Sequence, residues 1–128
     1  MKPANLIFVY NANSGPVNAL LDSLHKTFFP KTYHCKLCAV TYSSVAMKRE
    51  WRNFIMGLGI PVSFLHRDEL KRNYERDDID LPAVLTKNGN DVEVIISSSE
   101  VNGVKDLKGM IKLVKGQLEL LPIKQIGD

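Results

Sequence analysis

The run Leu6-Ile7-Phe8-Val9-Tyr10 has no charged residue to turn toward water on either face. An apolar run of this length, rich in β-branched and aromatic residues, suits a strand buried on both faces. A chain containing such a strand needs cover on two sides of a sheet, and helical crossovers supply it. Asn11 to Gly15 reads as a loop in which Ser14 is an N-cap. Pro16 belongs in a first helical turn, so a helix is expected to start there. Val17, Leu20, Leu21, Leu24 and Phe28 follow at helical spacing, and Pro30 ends the pattern.

The remaining elements follow from similar signals. Residues 30–44 read as irregular, with Cys38-Ala39-Val40-Thr41-Tyr42 as a short strand. Met47, Trp51, Phe54, Ile55 and Leu58 form the apolar stripe of a second helix, stopped by Gly57, Gly59 and Pro61. Val62 to His66 is a second core strand, and Asp68 is expected to cap a short helix reaching Tyr74. Ala83 to Lys87 and Val92 to Ile96 are strands joined through Asn88-Gly89-Asn90-Asp91. Asn-Gly supplies the positive φ angles of a tight hairpin. A last helix is expected from about Asn102 to Lys115, stopped at Gly116.

A chain of 128 residues suits one domain. It buries roughly two-thirds of its unfolded surface and needs no disulfide for a core. No run is long and apolar enough for a membrane span, and no secretory leader is read, so the expected location is cytoplasmic, with no membrane partner. The net charge of +3 is too small to argue for nucleic acid. Lys105, Lys108, Lys112 and Lys115 form a basic stripe that reads as the solvated face of an amphipathic helix.

Parallel strands with crossovers, then a hairpin and a closing helix, give an α/β fold with a mixed sheet. The segment Leu81-Pro82-Ala83-Val84-Leu85-Thr86-Lys87-Asn88-Gly89 resembles the thioredoxin segment in which a cis-proline opens a strand. Val9-Tyr10-Asn11-Ala12-Asn13-Ser14-Gly15-Pro16 resembles the strand and redox loop of that family, with Gly-Pro retained and both cysteines absent. The resemblance implies a thioredoxin-like three-layer α/β/α sandwich, with residues 29–60 as an insertion or an extension of the first crossover. It also implies a cis Leu81–Pro82 bond. The chain further resembles a group of small bacterial proteins without an assigned activity that share a displaced C-x-x-C.

The cysteines sit away from the loop where that family carries its chemistry. They read His34-Cys35-Lys36-Leu37-Cys38. Two intervening residues let a dithiol close, and a neighbouring cation such as Lys36 or protonated His34 would favour the thiolate. The same spacing suits two ligands of zinc or another transition metal, with His25, His34 and His66 as the available imidazoles. Thiols that merely pack are the third reading, and the three stay open. Cys35 and Cys38 are therefore the candidate catalytic or metal residues, with a protein or thiol partner.

Other motifs carry less. His66-Arg67-Asp68 matches a kinase tripeptide, but the accompanying kinase signatures are missing. Glu75, Asp77, Asp78 and Asp80 do not follow an EF-hand order. No G-x-x-x-x-G-K-[ST] string occurs. The rival to thiol or metal chemistry is a non-catalytic peptide-binding or scaffold domain. It would use a groove near Ser14 and Pro82, or pair a sheet edge with a second copy. The sequence leaves the choice between enzyme and binding module open, and with it the oligomeric state.

Overall fold

The computed structural model describes residues 5–11, 15, 36–41, 47–88 and 90–126. It is an α/β structure built on an open, four-stranded mixed sheet. Strands β1 (Leu6–Val9), β2 (Val62–Leu65), β3 (Ala83–Asn88) and β4 (Asp91–Ile96) lie in the order β2-β1-β3-β4. β1 and β2 are parallel, with Phe8 opposite Phe64; β3 runs antiparallel to β1, with Phe8 opposite Val84. The hairpin β3–β4 carries a bulge: Leu85 pairs with Val94 and Val84 with Ile96, so Ile95 has no partner.

β1 is buried along its whole length, as its unbroken apolar run requires. Leu6 and Phe8 face one side of the sheet, Ile7 and Val9 the other. Helices α1 (Lys36–Thr41), α2 (Arg49–Met56), α4 (Ser98–Asn102) and α5 (Leu107–Ile126) supply Leu37, Trp51, Val101 and Met110 to the first side. Helix α3 (Arg67–Tyr74) supplies Leu70 to the second. Each fully buried side chain of this size contributes about 1.5–3 kcal/mol. On the first side rings meet in sequence: Trp51 packs edge-on to Phe8 at 5.3 Å, Phe8 stacks on Phe64 at 5.4 Å, and Phe64 on Tyr10 at 6.1 Å. α1 and α2, from the expected insertion, share the core that β1 builds.

The expected hairpin is present and the Leu81–Pro82 bond is cis; the expected second strand is present as well, but β2 lies at an edge of the sheet and is only partly buried rather than a core strand. Gly59 ends the turn after α2 at φ 72°, a left-handed backbone open to glycine. Three further expectations are corrected. The strand over Cys38–Tyr42 is overturned: residues 36–41 are helical, because Leu37 and Val40 at helical spacing are both buried and Thr41 Oγ1 donates to the Leu37 carbonyl at 2.6 Å. The cap of α3 is His66 rather than Asp68, which lies in the first turn. The last helix starts later and runs further than expected, and a separate short helix precedes it. α4 is one short turn started by Ser97, whose side chain accepts from Glu100 N–H, and α5 begins at Leu107 and continues past Gly116 to Ile126. The helix expected from Pro16 to Phe28 lies outside the described residues.

Candidate functional site

The strand directions bring four chain segments to one end of the sheet. β1 and β2 finish there, β3 begins there and β4 returns there. Tyr10 and Asn11, His66, Leu81 and Pro82, and Ser97 are the residues at these four points. In open α/β sheets the crevice beyond the carboxyl ends of parallel strands, where consecutive connections leave in opposite directions, is the usual ligand site.

A cavity of about 690 Å³ opens at this end and follows α3. Among the described residues, Asn11, Leu81 and Ser98 line it at the sheet end. Arg67, Asp68, Leu70 and Lys71 line it from α3, and Arg76, Asp77, Ile79 and Asp80 from the segment that climbs back to β3. Leu70 is buried and Ile79 and Leu81 are half-buried, so apolar side chains form part of a lining otherwise made of charges of both signs. The volume falls within the range of small-ligand sites.

The walls are held by specific bonds. Arg67 Nη1 donates to Asn11 Oδ1 at 3.0 Å, joining α3 to the segment after β1. Arg76 donates through Nε to Asp78 Oδ1 at 2.7 Å, and through Nη1 to Asp91 Oδ1 at 2.9 Å and to the Val92 carbonyl at 3.3 Å. It thereby ties the climbing segment to the hairpin. The Arg76 hydrogen bond is the main cause holding the Asp78 carboxyl below the usual range. Asp91 is lowered first by the Val92 N–H and then by Arg76. Asp68 pairs with Arg72 at 3.5 Å.

His66 closes the start of α3. The Glu69 carboxylate accepts from the His66 backbone N–H at 2.8 Å and contacts its Nδ1 at 2.7 Å. The imidazole contact, followed by the backbone one, holds the Glu69 carboxyl below its ordinary value. With Glu69 ionised, Nδ1 is the donor, and a neutral ring carries its lone pair on Nε2. The ring lies 5.5 Å from Tyr10, at the end of the aromatic series.

The candidate residues from the sequence divide as follows. Pro82 is buried beside the cavity residue Leu81. His66 is partly exposed and engaged with Glu69. Cys38 lies in α1. Ser14, His25, His34 and Cys35 lie outside the described residues. Among the described residues no group of three His, Cys, Asp or Glu side chains is arranged to hold a metal. No helix among them is long and apolar enough to cross a membrane. Sequence reading missed Arg67, Lys71, Arg76, Ile79 and Asp80 as cavity residues. No sequence signal marks them as a group, because they come together only through the strand order.

Comparison with family models, with curated proteins and with solved structures found no match.

Proposed function

We propose that the chain is a thioredoxin-like three-layer α/β/α domain that binds an extended peptide, without transforming it, in the cavity beside Pro82. The observation that carries this reading is the cavity of about 690 Å³ at the carboxyl ends of β1 and β2. Ile79 and Leu81 offer an apolar part for a peptide side chain, and Arg67, Lys71, Asp77 and Asp80 offer donors and acceptors to the rest of the ligand. The strand order and directions support the thioredoxin-like assignment: a parallel pair at one edge, an antiparallel hairpin at the other, and a closing helix. Selection of displayed random peptides on the folded protein tests the reading. Selected peptides should shift the amide resonances of Leu70, Ile79, Leu81 and Ser98, and Ile79→Trp, which fills the cavity, should abolish binding. Shifts elsewhere, or undiminished binding by Ile79→Trp, would refute it.

A second reading seats thiol or metal chemistry at Cys35 and Cys38, with zinc or another transition metal as the candidate ion. It rests on the C-x-x-C spacing in the sequence; Cys38 lies in α1 and Cys35 outside the described residues. Thiol counting and metal analysis on protein purified without chelator test this reading. Two free, unreactive thiols and no stoichiometric metal would remove it.

A further inference from the structure

The charges on the two sides of the sheet are used differently. Every ion pair among the described residues belongs to α3, the climbing segment or the hairpin. On the other side α2 and α5 pack together and turn their outer faces to solvent. Arg49, Arg52, Lys108, Lys112 and Lys115 all stand exposed there. None of them makes an ion pair with a described residue. Lys115 leans across the helix junction, its Nζ 5.9 Å from the Phe54 ring centroid.

Carboxylates offset part of this charge: Glu50 on α2 and Glu119 on α5 are exposed too, but the cations on these two helices outnumber them. Asp106 accepts the Gly109 N–H at 2.9 Å, and Glu100 accepts the Ser97 N–H at 3.0 Å, so both are engaged in capping helices. Unneutralised cations on adjoining rigid helices add to one positive field. Apolar surface adjoins α2 and α5. Met56 on α2 is 75% exposed, and a shallow groove of about 430 Å³ between α4 and α5 is lined by Val104 and Leu113 together with Glu100 and Lys112.

We propose that the α2/α5 face docks an acidic segment of another polypeptide, whose carboxylates meet the Arg and Lys side chains and whose aliphatic side chains seat on Met56 and in the Val104/Leu113 groove. A nucleic acid fits less well. The large apolar side chains standing exposed among the described residues are Met56 and Val94, neither an aromatic on which a base could stack. A second copy also fits less well: on the opposite side Asp68, Asp78 and Asp91 are paired with arginine, which leaves Glu75, Asp77 and Asp80 of the α3 end and climbing segment to meet five cations.

The test uses a synthetic amphipathic helical peptide with Glu on one face and Leu on the other, followed by fluorescence anisotropy and amide-resonance mapping on the full chain. Binding should weaken steeply with salt, as exposed charge pairs do. Shifts should fall on α2, α4 and α5. Replacing Arg52, Lys112 and Lys115 together with Glu should weaken binding by about tenfold or more. The charge-conserving pair Lys112→Arg and Lys115→Arg should leave it intact, which separates loss of charge from loss of fold. The proposal is overturned if the charge-reversed protein binds equally well. It is also overturned if a Gln-for-Glu peptide binds as tightly, or if short duplex RNA or phosphatidylserine vesicles bind more tightly than the acidic peptide. Self-association that competes with the peptide would assign the face to a second copy instead.

Discussion

On the side of the sheet covered by α2 and α5, Leu6, Phe8, Trp51, Ile96 and Met110 are fully buried in one continuous apolar cluster. On the side covered by α3, the cluster is smaller and centres on Ile7, Val9, Leu70, Ala83 and Leu85. There the polar groups hold the structure: His66 with Glu69 at the start of the helix, and Arg76 across to Asp78 and Asp91. The first side is built by burial, and its exposed Arg and Lys side chains make no ion pair with the described residues. The second pairs several of its charges internally and leaves an open volume. A large core thus frees a surface for recognition, whereas a small core held by polar bonds leaves room for a cavity.

Truncation of the core tests that contrast most severely. Trp51→Ala should cost about 3–5 kcal/mol, since it removes the ring on which Phe8 and Phe54 pack. Leu70→Ala should fall near the lower end of about 2–5 kcal/mol, because Leu70 packs in the smaller of the two described clusters. Urea unfolding followed by circular dichroism would measure both, as Trp51 is the only tryptophan and cannot report on its own removal. Equal costs would erase the distinction between the two sides.

Acid should act on the other side first. The carboxyls of Glu69, Asp78 and Asp91 are all lowered in the folded protein. Each therefore contributes stability that is fully present above the unfolded-state value and is lost as pH falls through the folded-state one. The loss should begin near pH 4, the ordinary carboxylate range, and continue below it. Hydrogen exchange should quicken in α3 and at Asp91–Val92 before it quickens in α2 or α5, and Glu69→Gln should remove part of that response. Simultaneous loosening of both sides would contradict the assignment of polar bonds to the α3 side.

The smallest effect is a gain. Gly116 lies inside α5, exposed, and a Cβ built there meets nothing within 4 Å. Gly116→Ala should stabilise the protein by about 0.5–1 kcal/mol, read as a raised midpoint at unchanged m. No gain would mean that α5 beyond Lys115 contributes little to the fold.

Gly116 also marks where sequence reading reached its limit. One glycine resembles a helix stop, yet the apolar pattern resumes at Leu118, which packs on the core, and the helix continues. Where periodicity ran unbroken, as in Leu6–Tyr10 or the hairpin strands, the sequence was sufficient. Cys38–Tyr42 misled because its β-branched residues favour strands locally, while burial of Leu37 and Val40 against α4 and α5 decides for a helix. Ser97-x-x-Glu100 was a legible capping box that would have separated α4 from α5. The cavity was not legible, because Asn11, Leu70, Ile79 and Ser98 meet only through the strand order. The joining of Arg52 and Lys115 into one basic face likewise depends on how α2 and α5 pack.

The bulge at Ile95 bears on how the molecule behaves when concentrated. β4 is an edge of the sheet, and an edge strand is a template onto which a foreign strand can add its own backbone. A straight intruder pairing with Asp91, Glu93 and the residues after them would fall out of step at Ile95, where β4 carries one residue more than its partner. The charges of Asp91 and Glu93 would repel a like strand over the part that could still pair. Continued strand addition at β4 is therefore disfavoured by the bulge and the charges of the strand itself.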